Sequence, residues 1–296
     1  MANGLILLYK EGGMTSHTAV SRVRRLFGGE KAGHTGTLDP MATGVLPILL
    51  GRGVKASEYL TEGDKHYRAL LRLGLTTDTE DITGETLTTS TAIPEESAVL
   101  EALHHFRGEI LQVPPMYSAI KVDGKRLMEL ARAGKTVERE ARPITIHALK
   151  AVKINDTDYS LDVRCSKGTY IRTLCADIGA HLGCGGVMAA LERVEAAGFP
   201  LERTLTLSQL EEMTPEVREE QVIPVEELFL KYPVVFFPEF YARLAHNGQA
   251  IRQSKLRVSY PAGTRLRLCD DKGFFALGEV PEDDPERIRP IKFFVL

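Results

Sequence analysis

The sequence predicts an α+β fold, because helical and strand patterns are mixed along it without the regular βαβ alternation of a doubly wound sheet. The chain has 296 residues, which is long enough for one large domain and a small one. Hydrophobic residues make up 43% and charged residues 26%, as in ordinary globular proteins. A change to purely strand-like patterns predicts a boundary, with one domain at 1–232 and another at 233–296.

The first 74 residues carry signals for three strands and two helices. Apolar stretches at 4–9 and 45–50 predict strands, the second of them buried. Apolar residues at helical spacing between them predict a helix that starts at a Ser16 cap and ends at Gly28-Gly29. Two more elements are predicted here, a short helix at 54–60 and an alternating strand at 66–74.

The middle of the chain adds two helices and a hairpin. Residues 94–107 are predicted to be helical, with two glutamates in the first turn, where the helix dipole favours negative charge. Strands at 144–154 and 159–165 are predicted to pair across an Asn-Asp turn. A further helix, with one apolar stripe, is predicted to start at a Thr169 cap and end at Gly183.

The segment after residue 232 is predicted to be a small all-β module. Its short apolar strands are separated by turns that are rich in Gly, Pro and Asp. A module of this size is only marginally stable by itself unless it is docked. The predicted strands lie at 234–237, 265–269, 274–280 and 291–296.

Several classes of protein are excluded by what the sequence lacks. Its four cysteines form no C-x-x-C pair and have no histidines at zinc-ligand spacing, so we expect reduced thiols and no metal site. No glycine-rich nucleotide motif is present, and we expect no cofactor. The N-terminal apolar run is too short for a signal peptide, and no run reaches spanning length. We therefore expect a cytoplasmic protein that makes no membrane contact.

Charge is segregated along the chain, although the net charge is only -3. Residues 121–142 carry seven cations against four acids, and residues 240–269 carry six cations and no acid. Residues 211–227 are strongly acidic. Basic clusters of this kind can neutralise phosphates while an acidic face stays in solvent, although a charge run is more often only a solvated face.

A Gly- and Thr-rich segment at 33–47, GHTGTLDPMATGVLP, holds Asp39, the only formally charged residue between Lys31 and Arg52. A carboxylate in such a loop is either a turn residue, because Asp-Pro favours turns, or a reacting group. The whole string resembles the catalytic motif of the pseudouridine synthases that modify the T-arm of tRNA. Five other segments resemble the same family, namely TSH at 15–17, KHY at 65–67, PPMYSA at 114–119, GTYIR at 168–172 and LER at 191–193.

The resemblance covers most of residues 4–199 and has two local departures. Glu11 stands where the family usually has proline after the lysine, so this loop is expected to differ. Ala197-Gly198 stands where the family has Gly-Pro, and we expect a local shift there without loss of activity. The resemblance implies the pseudouridine synthase fold, with a mixed, largely antiparallel sheet and flanking helices.

The resemblance also implies roles for three residues in the isomerisation of uridine. This reaction breaks an N-glycosidic bond and develops charge that Asp39 could attack or stabilise. Arg172 would keep Asp39 ionised and oriented. Tyr67 could stack on an extruded base and help to move the C5 proton. Without the resemblance they would be a turn residue, a solvated helix residue and a core tyrosine.

Substrate binding is expected from a second set of residues. His34 could stack near the RNA or wedge into it, and Leu191 could form a wall of the pocket. An insertion at about 110–142 is implied to be a mobile thumb that grips RNA. The remaining predicted substrate-binding residues are Lys10, Lys65, Tyr170, Lys121, Lys125, Arg126 and Arg132.

The expected partner is the T-arm of tRNA, whose uridine 55 must be flipped out of the folded arm to reach a catalytic carboxylate. Recognition is expected to rest mainly on shape and phosphates. The strands after residue 232 resemble a PUA domain, an RNA-binding β-barrel often appended to RNA-modifying enzymes. We expect a monomer that needs no protein partner.

Two other functions are compatible with parts of the sequence. A guide-RNA-dependent relative would use the same catalytic core inside a ribonucleoprotein, but its members usually lack the thumb and carry basic tails. A non-catalytic RNA-binding or RNA-folding protein would not need the full set of Asp39, Tyr67 and Arg172.

Overall fold

The computed structural model describes residues 2–29, 31–61, 63–122 and 124–294. Eighteen strands and nine α-helices lie in these ranges, together with short 3-10 helices. The strands are β1 (Gly4–Lys10), β2 (Ala32–His34), β3 (Thr43–Leu50), β4 (Lys65–Leu73), β5 (Leu75–Thr77), β6 (Thr86–Thr89), β7 (Gly108–Gln112), β8 (Lys121–Val122), β9 (Lys125–Arg126), β10 (Arg142–Lys153), β11 (Asp158–Cys165), β12 (Gly186–Ala196), β13 (Phe199–Pro200), β14 (Val234–Phe236), β15 (Ile251–Arg252), β16 (Arg265–Asp270), β17 (Gly273–Glu279) and β18 (Arg287–Phe293). The α-helices are α1 (Ser16–Leu26), α2 (Ser57–Thr61), α3 (Glu96–Ala102), α4 (Leu127–Arg132), α5 (Ile171–His181), α6 (Leu207–Glu212), α7 (Pro215–Glu220), α8 (Glu239–His246) and α9 (Gln253–Leu256).

A nine-stranded sheet forms the centre of the fold, in the order β1-β3-β12-β4-β11-β10-β7, with β2 beside β3 and β13 beside β12. Its neighbours pair antiparallel except for a short parallel contact between β12 and β3. The predicted α+β class and the mixed, largely antiparallel sheet are confirmed. The alternating pattern that predicted a strand at 66–74 corresponds to the burial of β4, in which every second residue from Lys65 to Leu73 is buried.

The central strand β12 is the element that local sequence did not reveal. Its segment is rich in Ala, Leu, Met and Glu, which favour helices, and we predicted no strand there. In the structure it is paired along most of its length with β4, and at Glu192 and Arg193 with β3. Pairing on both sides overrides the local preference, because strand propensity depends strongly on context.

The starts of two helices differ from prediction by one residue. Thr15 rather than Ser16 caps α1, and its hydroxyl oxygen accepts from the Thr18 amide at 3.0 Å. Tyr170 rather than Thr169 is the cap position of α5. The predicted 94–107 helix is an α-helix only over α3, and a 3-10 turn, Leu103–Phe106, follows it. The predicted 54–60 helix likewise divides into a 3-10 turn, Gly51–Ala56, and α2.

The C-terminal module is a five-stranded sheet in the order β14-β16-β17-β18-β15, with its own core around Phe237 and Phe275. The five-stranded sheet agrees with the predicted PUA-like module, but the module also contains two helices and is therefore not purely β as predicted. The last predicted strand begins earlier, at Arg287, and its predicted final residues 295–296 lie outside the described ranges. Helices α8 and α9 and the short strand β15 fill the interval after β14, for which we predicted no elements.

An aromatic cluster joins the module to the main sheet. The ring of Phe229 lies 5.1 Å from that of Tyr59 and 5.4 Å from that of Phe294. The same buried cluster contains Leu5 and Leu277, from β1 and β17. The module is therefore docked, as its small size requires. Across the described residues, no helix is both long and apolar enough to cross a membrane.

Glycine is required where β3 meets β12. Gly44 has a φ of +104°, and a Cβ built there would lie 2.2 Å from the carbonyl oxygen of Arg193. A side chain at this position would therefore strain the backbone and also separate the two strands.

Replacement of Gly44 by alanine is expected to lower the free energy of unfolding by at least about 2 kcal/mol, because backbone strain and a steric clash add together. Gly28→Ala is the matched control, since Gly28 has a φ of +82° but a Cβ added there would meet nothing within 4 Å. The measurement is guanidinium denaturation of both variants. Equal midpoints for the two would show that the β3–β12 approach is not tight.

Candidate active site

The loop that carries Asp39 is held from below by two buried side chains. The Ser16 hydroxyl donates to the Leu38 carbonyl at 3.0 Å and accepts from the Leu38 amide at 2.8 Å. The Lys10 ammonium donates to the carbonyls of Ala42 at 2.6 Å and Pro40 at 3.2 Å. These bonds fix the backbone on both sides of Asp39, so the carboxylate is placed before any substrate arrives.

Lys10 was predicted to bind substrate, but in the structure its ammonium binds backbone carbonyls beneath the Asp39 loop. The side chain is fully buried, and its ammonium also donates to the carbonyl of Glu11 at 3.1 Å. Burial lowers the pKa of Lys10 to about 8, while the charge of Asp39 opposes this shift. An ammonium that already binds three carbonyls supports the loop and does not present itself to a substrate.

Arg172 binds both oxygens of the Asp39 carboxylate. Its Nε donates to Oδ2 at 2.9 Å and its Nη2 to Oδ1 at 3.3 Å. The guanidinium also donates to the carbonyls of Thr79 at 3.1 Å and Tyr117 at 2.8 Å. The Arg172 side chain is 5% exposed and that of Asp39 is 32% exposed. The buried arginine is thus fixed by four acceptors, and the carboxylate reaches open space.

Tyr67 lies on β4 at the floor of the same cleft. Burial raises the pKa of the Tyr67 phenol, and the nearby Arg193 guanidinium only partly offsets this effect. The phenol is therefore neutral near pH 7 and is able both to donate and to accept a proton.

Arg193 is a buried residue that sequence reasoning did not assign to the site. It is the cross-strand partner of Tyr67 and is 1% exposed. Its Nε donates to the Val45 carbonyl at 2.8 Å and its Nη2 to the Gly36 carbonyl at 3.1 Å. The LER match pointed to this position, but only the structure shows that the guanidinium connects the Asp39 loop to β12.

Gln112 is a second residue that sequence reasoning missed. Its side-chain amide binds both backbone groups of Tyr170, accepting from the N–H at 2.8 Å and donating to the carbonyl at 3.0 Å. Because Tyr170 is the cap position of α5, this contact fixes the first turn that presents Arg172. No sequence signal distinguishes Gln112 from other strand-end glutamines.

The structure brings many of the predicted residues to one cleft of about 330 Å³. Its walls come from the Asp39 loop, β4, residues 117–119 and 128, the start of α5 and β12. The predicted residues among its lining are Asp39, Lys65, Tyr67, Tyr170, Arg172 and Leu191.

Comparison with known proteins identifies the family to which this site belongs. The model described as "TruB family pseudouridylate synthase (N terminal domain)" matches residues 24–171, and "tRNA pseudouridylate synthase B C-terminal domain" matches residues 172–230. The chain belongs to the TruB family of pseudouridylate synthases. It is therefore a pseudouridine synthase, an isomerase, and the predicted resemblance is confirmed.

Individual relatives of this synthase are similar over nearly the full chain. A protein named tRNA pseudouridine synthase B from Pseudomonas syringae pv. syringae (strain B728a) is 45% identical, covering 97% of this chain and 94% of that protein. The protein of the same name from Shewanella sp. (strain MR-4) is 42% identical, covering 95% of this chain and 91% of that protein.

Two solved structures share the fold of the synthase. The crystal structure of a Cbf5-Nop10-Gar1 complex contains a chain with a TM-score of 0.71 and 26% identity, covering all of this chain and 84% of that chain. The structure of an H/ACA RNP bound to a substrate RNA containing 2'-deoxyuridine contains a chain with a TM-score of 0.71 and 22% identity, covering 99% of this chain and 85% of that chain.

The remaining predicted residues of the synthase lie at or beyond the cleft margin. Lys65 lines the cleft, but its ammonium donates to the Thr61 carbonyl at 2.7 Å and also to that of Gly63. His34, on β2, is not among the lining residues, and burial lowers its pKa. The four cations predicted to belong to a thumb are exposed and do not line the cleft. These residues are Lys121, Lys125, Arg126 and Arg132.

Replacement of Arg172 by lysine is expected to reduce pseudouridine formation by about 100-fold, because lysine keeps the charge but cannot bind both carboxylate oxygens. The measurement is single-turnover pseudouridine formation on unmodified tRNA, together with tRNA affinity, which should change little. Arg164→Lys is the control, since Arg164 is an exposed partner of Glu195 at 3.9 Å. Equal rates for the two variants would show that the bidentate contact is not required for turnover.

Proposed function

We propose that this synthase converts uridine to pseudouridine at position 55 in the T-loop of tRNA, with Asp39 as the nucleophile on a flipped-out base. The observation that carries the proposal is the Asp39 carboxylate, which is held by the buried Arg172 guanidinium and is still one-third exposed to the cleft. The relatives named tRNA pseudouridine synthase B support tRNA as the substrate.

The chemistry follows from the groups that meet in the cleft. Asp39, held in place by Arg172, attacks or stabilises the anomeric carbon, which becomes electron-poor as the N-glycosidic bond breaks and the base leaves with the bonding electrons. The freed base turns so that C5 bonds to the anomeric carbon and releases any bond to Asp39, and C5 then loses its proton. Tyr67 is neutral and buried beside it, so its ring stacks on the base while its hydroxyl helps to move the C5 proton. This isomerisation is redox-neutral and consumes no energy donor.

The cleft is the size of a single extruded nucleoside rather than of a helix, which supports base flipping. Leu191 and Tyr170 form its apolar and aromatic walls. The start of the thumb contributes Tyr117, whose carbonyl accepts a hydrogen bond from Arg172. Closure of the thumb on RNA would therefore shift Arg172 and change its contact with Asp39. We propose that residues 110–142 grip the T-arm in this way.

Two basic surfaces are proposed to bind phosphates. The first is on the thumb, where Lys125, Arg126 and Arg132 are exposed and form no ion pair with any described residue. The second is on the C-terminal module, which we propose begins at residue 233. Within its basic segment, residues 240–269, four of the six cations are exposed and lack a carboxylate partner in the described ranges, namely Arg243, Arg252, Lys255 and Arg257.

The other two cations of the basic segment have structural contacts instead. Arg267 forms an ion pair with Glu226 at 2.7 Å and donates to the Tyr232 carbonyl. Arg265 lies over the Tyr59 ring at 5.9 Å. These two residues join the module to the main domain, so the proposed RNA-binding charge is smaller than the sequence count.

We propose that the enzyme acts as a monomer on free tRNA in the cytoplasm, rather than through a guide RNA. The thumb segment, with β8, β9 and α4, supports this choice over a guide-dependent relative. A purely RNA-folding role is the weaker alternative, because it would not require a buried arginine bound to both oxygens of Asp39.

The Asp39→Asn variant is expected to lose at least about 10³-fold in turnover while it still binds tRNA, because the amide keeps the size but not the nucleophile. The measurement is pseudouridine mapping on unmodified tRNA, with affinity measured in parallel. Asp162→Asn is the control, since Asp162 pairs with His66 on β4 away from the cleft lining. Normal turnover by Asp39→Asn, or pseudouridine at a position other than 55, would contradict the proposal.

Neutralising Lys125, Arg126 and Arg132 together as glutamines is expected to flatten the dependence of tRNA affinity on salt. The slope of log affinity against log salt should fall by about 2 to 3, as three phosphate contacts are lost. Turnover of bound tRNA should suffer less than in the Asp39 variant. The measurement is tRNA affinity across a salt series.

The matched control for this variant replaces with glutamine three arginines that are already paired with glutamates, namely the half-buried Arg22 and the exposed Arg203 and Arg289. It changes the net charge equally. If the two triple variants had the same salt slope, the thumb would have no special role in RNA binding.

A further inference from the structure

Two consecutive residues before β6 hold two consecutive residues of helix α5. The carbonyl of Thr79 accepts from Arg172 Nη1 at 3.1 Å. The carboxylate of the next residue, Glu80, accepts from the Thr173 hydroxyl at 2.6 Å. The 78–84 loop therefore binds the first turn of α5 twice, once through the side chain of Arg172 and once through its neighbour.

The backbone at Glu80 is strained. Its φ is +63°, a left-handed conformation that a glutamate rarely adopts. The conformation is maintained by β12, because the Met188 amide donates to the Glu80 carbonyl at 3.1 Å and the Ile82 amide donates to the Met188 carbonyl at 3.0 Å. Strain of this kind persists only where surrounding contacts enforce it, and it is concentrated at functional sites.

The carboxylate of Glu80 lies among charges of both signs. Burial raises the pKa of Glu80, and Asp81 adds to this effect, whereas the hydrogen bond from Thr173 and the charges of Arg172 and Arg139 only partly offset it. The same loop brings it near Asp177, whose pKa is raised to about 6 by burial and by Glu80. A half-buried carboxylate that is crowded by two acids is unfavourable for stability, and the proposed chemistry has no direct use for it.

We propose that Glu80 is a positioning residue for Arg172. By binding Thr173 it locks the 78–84 loop onto α5, and this places the Thr79 carbonyl where it fixes Arg172 Nη1. Arg172 is then left with Nε and Nη2 directed at Asp39. The inference rests on the proposed partnership of Arg172 and Asp39, and Glu80 itself touches no reacting atom.

The test removes each end of the Glu80–Thr173 bond. Glu80→Ala and Thr173→Val should each lower the single-turnover rate of pseudouridine formation by about tenfold or more, the loss expected for a hydrogen bond to a charged group. Affinity for tRNA should stay unchanged. Thr173→Ser, which keeps the hydroxyl, and Glu80→Gln, which keeps an acceptor oxygen, should recover most of the rate.

Double variants show whether the effect passes through Arg172. Glu80→Ala with Thr173→Val should be no slower than Glu80→Ala alone, because both changes break one bond. Glu80→Ala should cost little in an Arg172→Lys background, since the group it positions is already gone. Thermal unfolding of each variant separates positioning from a general loss of fold, and Thr173→Val tests the bond even if Glu80→Ala does not fold.

Wild-type rates in Thr173→Val, or fully additive losses in either double variant, would overturn the inference. This result would leave the proposed function intact as long as Asp39→Asn remained inactive. Conversely, an active Asp39→Asn variant would overturn the proposed nucleophile whatever the Glu80 variants do.

Discussion

The contact on which the site depends is the bidentate ion pair between Arg172 and Asp39. The two residues are separated by 133 positions in the chain and come from a loop and a helix that share no backbone hydrogen bond among the described residues. Each partner is therefore held by its own supports, Ser16 and Lys10 below the loop and Gln112 at the start of α5. The ion pair links the support of the Asp39 loop to the support of helix α5. A shift of the loop or of the helix would therefore misalign the Asp39 carboxylate.

Buried cations fix the irregular backbone around this pair. Lys10, Arg172 and Arg193 are each less than 5% exposed, and each donates to carbonyl groups of loop or strand-end residues. An isolated buried charge is very unfavourable, so these contacts compensate for lost hydration. They also bind carbonyls on neighbouring segments that would otherwise need water. The site is thus organised before RNA arrives, and little reorganisation is left for the reaction itself.

The sequence predicted those features that are encoded locally. The alternation of β4 and the long match around Asp39 were sufficient for the class of fold, the family and the residues of the central cleft. It failed where a residue's role depends on distant neighbours. Strand β12 looks helical by composition, Lys10 was predicted to bind substrate but is fully buried, and Gln112 carries no sequence signal. In each case the structure is decided by pairing or burial against residues far away in the chain.

The docking of the C-terminal sheet limits how this protein can be shortened or recombined. Phe294 and Leu277 complete an apolar cluster with Leu5 and Leu49, which belong to the first two neighbouring strands of the main sheet. A chain cut near residue 232 would remove Leu277 and Phe294 from this cluster and expose part of its apolar surface, and exposed apolar patches promote aggregation. The module is therefore not an appendage that evolution or an engineer can exchange freely. Any replacement must bring its own aromatic cover for β1 and β3.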